Sequence, residues 1–592
     1  MNDKVVKIGG ASGFWGDSSV AAPQLADVPG IRYLVFDYLA ELTMSILAAA
    51  RAKNPELGYA TDFVDITVRQ VLKTCKARGI RLIANAGGVN PAACGRALAR
   101  LAAEIGIEAR IAVLDGDDVM PLIAALHARG VTDFHTGTQL PQRVASANAY
   151  FGAIPIARAL ALGADIVVTG RVVDSAVTLG ALMHEFGWRA DDYDRLAAGS
   201  LAGHLIECGC QATGGLFTDW RDVPGWADMG YPVIECSADG AFVVTKPENT
   251  GGLVSVPAVA EQMLYEIGDP ANYVLPDVVC DFTQVRMESA GVQRVRVSGA
   301  RGKPPTDRYK VSATYADGYR CTGTLTITGF EAAAKARRSG EAILERTRAI
   351  FRRLGFADYS GTDLSVLGMA GAYGPHAQAH DLREAVLRLA VSHPQKQALE
   401  IFAREIAPAG TSWSPGTTGS LNAGRPNVAP QIKQFAFLLP KAEAAARLTF
   451  AGHAEVVAVP AGTAAALAAG ADAELECPPM TEAAVTVPLL RLAWGRSGDK
   501  GDCSNVGIIA RKPAYLPWIA SQVTAAAVAE YLRHLVKGSV TRYAVPGIGA
   551  LNFVLEDALG GGGMASLRGD PLGKGMAQIL LAMPVRIPKE LL

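Results

Sequence analysis

Val5-Val6-Lys7-Ile8-Gly9-Gly10-Ala11-Ser12-Gly13-Phe14-Trp15-Gly16-Asp17-Ser18 is an apolar run that ends abruptly in glycines. The same event recurs along the next hundred and sixty or so residues. The run from Ile31 ends in Asp37-Tyr38-Leu39-Ala40-Glu41, and that from Ile80 ends in Asn85-Ala86-Gly87-Gly88-Val89-Asn90. The run from Ala109 ends in Asp115-Gly116-Asp117-Asp118, and that from Asp165 ends in Thr169-Gly170-Arg171-Val172-Val173-Asp174. Helical periodicity follows each. Near-continuous apolar strands separated by helices predict a mostly parallel, doubly wound α/β sheet covered on both faces. Ligands of such sheets bind beyond the carboxyl ends of the strands. All five polar strand ends therefore belong to one edge, and a site built from Asp, Asn and Arg on several loops is the inference.

The chain has 592 residues, too many for one compact core. Half of them are hydrophobic and 19% are charged, which excludes general disorder. Lys plus Arg is 56 against 57 Asp plus Glu, and this near-neutral balance leaves no electrostatic footprint for nucleic acid. Nine cysteines over this length suggest free thiols rather than a disulfide framework. No apolar signal segment precedes the first strand, and no stretch reads as a membrane span. The expectation is a soluble cytoplasmic enzyme, assembled as a homo-oligomer.

The alternating pattern assigns residues 1–282 to the large α/β domain. Beyond it, Val292–Val297, Tyr309–Tyr315 and Tyr319–Thr328 alternate apolar and polar residues, with Ala316-Asp317-Gly318 read as a hairpin turn. Helical stretches at Glu331–Leu354 and Leu382–Ile406, with strands at Leu364–Gly368 and Ile432–Leu439, complete an α+β domain over 283–440. The Ala-rich stretch 441–488 reads as a connector. Residues 489–592 read as a small α+β module resembling a ferredoxin-like layer, with a helix at Leu516–Val536 and strands on either side.

Each candidate motif has a structural and a functional reading. Gly9, Gly10, Ser12 and Gly13 would let a backbone approach an anion, yet no full dinucleotide fingerprint or P-loop is present, and a tight turn explains the same residues. Gly87, Gly88 and Asn90 form a second such loop. Asp115 and Asp117 offer hard oxygen ligands for Mg²⁺ or Mn²⁺, while helix capping explains at least one of the three loop carboxylates. Arg171 suits a carboxylate or phosphate, and Asp174 is either a base or the partner that orients it. His204, Glu207 and Cys208 share a helix face at i, i+3 and i+4 and could bind zinc or activate a thiolate or carboxylate, but no further C-x-x-C pair completes a four-ligand zinc site, so an acid/base role for His204 or Glu207 is favoured. Lys246 stands in a glycine-closed loop that adds a cation or is an ordinary loop. Arg496-Ser-Gly-Asp-Lys500-Gly and Gly560–Gly563, followed by Arg568, Asp570 and Lys574, read as a phosphate grip or as surface loops.

Ile8–Ser18, Asn85–Pro91, Gly170–Ala176, His204–Cys210 and Lys246–Gly252 together resemble the acyclic terpene utilisation AtuA family, and Arg496–Gly501 is similar to that family's C-terminal ferredoxin-like domain. The resemblance spans nearly the whole chain. It implies branched acyl-CoA substrates and suggests cleavage of a 3-hydroxy-3-isohexenylglutaryl-CoA into a 3-oxoacyl-CoA and acetate. It carries no catalytic residues over. The residues themselves supply Asp37, Asp115, Asp174 or Glu207 as base, Arg171 for a substrate carboxylate, and Asn85, Asn90 and glycine N–H groups for developing negative charge. Lys500, Arg496 and Lys246 are the candidate cations for the CoA moiety. A hydratase, a thioester hydrolase and a non-catalytic CoA-ester-binding scaffold are the rival readings.

Overall fold

The computed structural model describes residues 4–378, 381–421, 424–464, 467–472, 479 and 484–592. Its first six strands are β1 (Val5–Gly10), β2 (Ile31–Phe36), β3 (Arg81–Ala84), β4 (Ile111–Asp115), β5 (Ser146–Ala149) and β6 (Ile166–Thr169). All but β5 form a parallel block in the order β1-β2-β3-β6-β4. Alternate residues of these strands enter different cores. Tyr33, Val35, Ile83 and Val167 pack on one face. Leu34, Phe36, Leu82, Ile166 and Val168 pack on the other. Burial on both faces is why the strands read as unbroken apolar runs.

Antiparallel strands extend this block to eleven. Beside β1 stand Val233–Ser237, Phe242–Thr245, Val295–Ser298 and Arg286–Ser289. Beside β4 stand Arg447–Phe450 and His453–Val456. The large sheet thus continues past residue 282 and recruits part of the stretch expected as a connector.

The expected hairpin is a single strand, Arg308–Thr328. Asp317 and Gly318 form a bulge in it, where the register jumps between Ala316 and Tyr319. A positive φ at Gly318 suits a bulge as well as a turn. The first half of the strand pairs with Val428–Pro440 and β5, the second mainly with Glu384–His393. The helix expected over Leu382–Ile406 is that strand followed by a helix, Lys396–Glu405. Because β5 lies between β4 and β6 in the chain yet pairs into this second sheet, it ties the two sheets together.

The C-terminal region forms a four-stranded antiparallel sheet, Ala493–Lys500, Cys503–Ala510, Ala550–Leu555 and Val540–Val545 in spatial order. Trp518, Ile519 and Val528, from the short helices Leu516–Gln522 and Ala525–Tyr531, pack with Val506 and Phe553. The stretch expected as a loop from Arg496 to Asn505 is a β-hairpin turning at Gly501-Asp502. Two glycines let it lie directly on the large domain. A Cβ at Gly498 would stand 2.4 Å from the Tyr265 ring, and one at Gly507 would stand 2.6 Å from Leu264. Asn505 seals the seam by accepting from Glu266 N at 2.8 Å and donating to Leu264 O at 2.5 Å.

Among the described residues no helix is long and apolar enough to cross a membrane. The cysteines among them are all free.

Candidate functional site

The polar ends of β2, β3 and β6 meet around one group of charged side chains. Asp37, just after β2, accepts from Asn85 Nδ2 at 2.5 Å and from Leu39 N at 3.3 Å. Asn85, fully buried after β3, returns its Oδ1 to Tyr38 N at 2.7 Å. Arg171, after β6, reaches Leu39 O at 2.5 Å and Asp174 Oδ1 at 3.1 Å, and stacks over the Tyr150 ring at 4.2 Å. Burial raises Asp37 well above its ordinary value. The Asp174 charge adds to this, while Arg171 and Asn85 oppose it.

The helix Tyr193–Ile206 brings a second pair of buried titratable groups, His204 and the adjoining Glu207, to the same place. His204 Nδ1 lies 2.9 Å from Glu207 Oε1, and its Nε2 lies 3.2 Å from Met263 O. A carbonyl oxygen only accepts, so Nε2 carries a hydrogen. One proton therefore sits between Nδ1 and Oε1, whichever group formally owns it. Burial pushes Glu207 up, against the pull of His204; burial also opposes charging of His204, but Glu207 carries it up. The other carboxyl oxygen, Glu207 Oε2, is buried without a hydrogen-bond partner among the described residues. Burial and then Glu207 push the Cys208 thiol well up, which disfavours the thiolate.

Two further elements close the group. From the long strand and β5, Lys310 and Tyr150 face Glu41, the first residue of helix Glu41–Lys53. Tyr150 OH donates to Glu41 Oε1 at 2.7 Å. Burial works against ionising Glu41, but Lys310, Arg171 and Lys500 outweigh it and hold the carboxyl at about 2. From the C-terminal hairpin, Lys500 pairs with Glu266 at 2.5 Å. Lys500 keeps 46% of its side chain accessible, Glu266 21% and Asp174 23%. Charged groups from three parts of the chain therefore meet in a partly exposed seam, or cleft, and are not sealed in a core. A separate open groove of about 740 Å³ runs along helix Ala332–Leu354 past Arg338, Arg346 and Trp413, and shares none of these residues.

The structure thus gathers Asp37, Asn85, Arg171, Asp174, His204, Glu207 and Lys500, all singled out in the sequence. It gives the other candidates different work. The first glycine loop holds the chain itself. A Cβ at Gly10 would stand 2.2 Å from Ile206 O, and one at Gly13 would stand 2.6 Å from Cys208 and Gly209 backbone atoms. Gly9 packs on Leu25, and Ser12 Oγ donates to Asp37 O. Gly87 and Gly88 lie against Thr169 O and Gly58 O in the same way. Asn90 caps helix Pro91–Glu104 by accepting from Ala93 N at 3.4 Å. Lys246 closes its own loop on Thr250 O at 2.7 Å. Arg496 is buried against Gln211 and the Tyr265 ring.

The glycine-rich nest at Gly560–Gly563 also has an occupant from within. Backbone N–H groups of Leu559, Gly561 and Gly562 turn to the carboxylate of Asp502. Arg568 donates to Ala558 O at 2.6 Å, whereas Lys574 reaches Tyr265 OH in the large domain. The Gly560–Gly563 loop is thus filled by the chain itself, while in the Arg496–Lys500 stretch Lys500 stays accessible.

The Asp115–Asp117 pair does not fit a Mg²⁺ or Mn²⁺ centre. Asp115 turns to Arg447 at 3.6 Å. Asp117 is buried, accepting from Asn148 Nδ2 at 2.7 Å and from Arg171 N at 2.8 Å. Burial pushes it up to about 7 in spite of those donors. Among the described residues no group of three or more His, Cys, Asp or Glu is arranged to hold a metal ion.

Sequence reasoning passed over Tyr150, Tyr265, Glu266 and Lys310 as site residues, and Tyr273, whose ring centroid lies 5.9 Å from that of His204. Glu41 was within reach, since it closes a motif already singled out. Lys310 carries no local signal: in an alternating strand it reads as a solvent-facing polar position.

Two family models match the chain. No curated protein and no solved structure matches the chain. The profile of acyclic terpene utilisation family protein AtuA matches residues 6–450, which carry the large sheet and the second sheet. The AtuA ferredoxin-like domain matches residues 487–586, which carry the hairpin that supplies Lys500. A match over three quarters of its length, with the companion domain in place behind it, means that the chain belongs to the acyclic terpene utilisation AtuA family.

Proposed function

We propose that the protein is a carbon–carbon lyase acting on a branched 3-hydroxyacyl-CoA thioester of the 3-hydroxy-3-isohexenylglutaryl type. The family is implicated in acyclic terpene utilisation, a catabolic role. The observation that carries the reading is the conjunction of two proton carriers of raised affinity, Asp37 and the His204–Glu207 pair, with Arg171 and Lys500. Asp37 takes the proton of the tertiary hydroxyl. Its raised affinity makes it a stronger base than an ordinary aspartate at the same site. The bond from C3 to the carboxymethyl group breaks, the C3 oxygen becomes a ketone, and the bonding electrons pass to the departing carbon. The His204–Glu207 proton is added there, leaving acetate and a 3-oxoacyl-CoA. Arg171 and Lys500 hold the free carboxylate and the negative charge that grows on it. Asp115, turned to Arg447, is not used as a base.

Incubation with the glutaryl-type thioester, followed by mass analysis, tests this. A lyase yields two carbon fragments. A hydratase yields one product that differs by water, and a hydrolase yields free CoA with the carbon skeleton intact. A scaffold subunit leaves the thioester unchanged, with Asp37 or with Asp37→Asn. Any result other than two fragments overturns the reading.

A further inference from the structure

Lys310 stands out among the enclosed amines. Lys500 is paired with Glu266, Lys574 reaches Tyr265 OH, Lys441 donates to Pro276 O and Lys246 donates to Thr250 O. The Lys310 ammonium has no hydrogen bond and no ion pair among the described residues. Its one close partner is the face of the Tyr150 ring, 5.2 Å away. The residue is half-buried, and its Nζ is not among the fully buried polar atoms that lack a partner. Glu41 faces it but is held by Tyr150 OH and Gln434 instead.

The position is held rigidly. Lys310 lies in the long strand where that strand pairs on one side with Leu438 of Val428–Pro440 and, one residue on, with Ala149 of β5. Tyr150 N donates to Lys310 O at 2.9 Å, which fixes the Lys310 backbone beside that of Tyr150. An amine with no acceptor, in a partly dry site and beside other cations, is the arrangement that frees a lysine lone pair. Burial lowers the proton affinity of Lys310, and Lys500 and Arg171 lower it further, against the pull of Glu41 and Asp174.

The lyase substrate has no ketone for such an amine to attack; its 3-oxoacyl product has one, at C3. We propose that Lys310 is a nucleophilic amine that forms an imine with the ketone carbon of a 3-oxoacyl chain bound in this cleft. The assignment rests on the reading of the cleft as a site for 3-oxygenated acyl groups, and extends it to 3-oxo compounds as ligands in their own right. Nζ adds to the carbonyl carbon, a carbinolamine forms, and its oxygen leaves as water with one proton from nitrogen and one from the cleft. The protonated imine then draws electrons from the carbons beside C3, so that a group on either neighbour can leave its electron pair behind as an enamine.

The test is reductive trapping. The full-length protein is incubated with acetoacetate, and separately with acetoacetyl-CoA, in the presence of cyanoborohydride. Intact mass and peptide mapping then locate any adduct. One covalent increment per chain, mapped to Lys310 and lost in Lys310→Arg, is the expected result. No adduct, or modification spread over surface lysines, overturns the proposal. Mapping on the unaltered chain keeps the test valid if Lys310→Arg folds poorly, and circular dichroism shows whether it has. A parallel reaction without reductant separates the two readings: two carbon fragments with no adduct sink the imine alone, and an adduct without fragments sinks the lyase alone.

Discussion

Lys500 Nζ lies 2.5 Å from Glu266 Oε2, and this contact joins the tip of the C-terminal hairpin to the floor of the large domain's cleft. Glu266 has a left-handed backbone, φ 60°, which costs a non-glycine residue on the order of 1–2 kcal/mol. Asn505 holds its N–H and Lys500 holds its carboxylate, so the hairpin supplies both restraints on the strained residue.

Lys500→Ala should therefore raise KM for a CoA ester by about tenfold, equivalent to about 1.4 kcal/mol of lost binding. Thermal stability should change little, because the Lys500 side chain is nearly half exposed. Arg496→Ala should behave in the opposite way. Arg496 is buried between Gln211, Leu216 O and the Tyr265 ring, so its loss should cost about 1–3 kcal/mol of stability. Steady-state kinetics and thermal melts on the two single variants separate the roles. Equal KM effects from both would contradict this division.

Asp37 binds its proton more tightly than an ordinary aspartate, whose pKa is about 3.9. A base works only when deprotonated, so kcat/KM should rise with pH through an inflection above that value. Asp37→Asn should abolish this acid limb and lower kcat by roughly 10²–10⁴. Burial sets the inflection first, and Asp174, Arg171, Glu207 and Asn85 adjust it. Asn85→Ala should move it further up, since a hydrogen bond that favours the charged form is lost.

Asp117 governs stability rather than rate. Its carboxyl is pushed up to about 7, so the folded chain holds a proton that the unfolded chain releases at about pH 4. Stability from this group is full below the unfolded value and is lost as pH rises toward 7. Asp117→Asn stays neutral across that window. Denaturant titrations from pH 4 to 8 should show the variant's stability falling less with pH than the parent's, and parallel curves would exclude Asp117 as the source.

Gly10→Ala should disrupt the site from behind. The added carbon would stand 2.2 Å from Ile206 O, so the end of the helix that carries His204 must shift. The expected result is a loss of at least about 2 kcal/mol and of activity in whatever folds. Gly268→Ala, where an added carbon meets nothing within 4 Å, is the matched control and should be near neutral. Soluble yield and thermal melts of the pair decide it.

Sequence alone determined the parallel block, because strands buried on both faces must be apolar at every position, and that pattern is local. It also determined which polar strand ends come together: Asp37, Asn85, Arg171 and Asp174 follow β2, β3 and β6, and parallel strands in one sheet bring such ends to a single edge. His204 and Glu207 were legible as a pair because helical spacing places i and i+3 together. Only the tertiary structure decided what fills the glycine loops. A glycine that admits phosphate and a glycine that admits Ile206 O look identical in sequence, since both merely lack a Cβ. Asp317-Gly318 likewise serves a turn or a bulge, and the pairing partners on either side chose the bulge. The cleft itself lies beyond any local pattern. Its Lys310 and Tyr150 come with the second sheet and Lys500 with the C-terminal hairpin, and residues hundreds of positions apart meet only once three hydrophobic cores have packed.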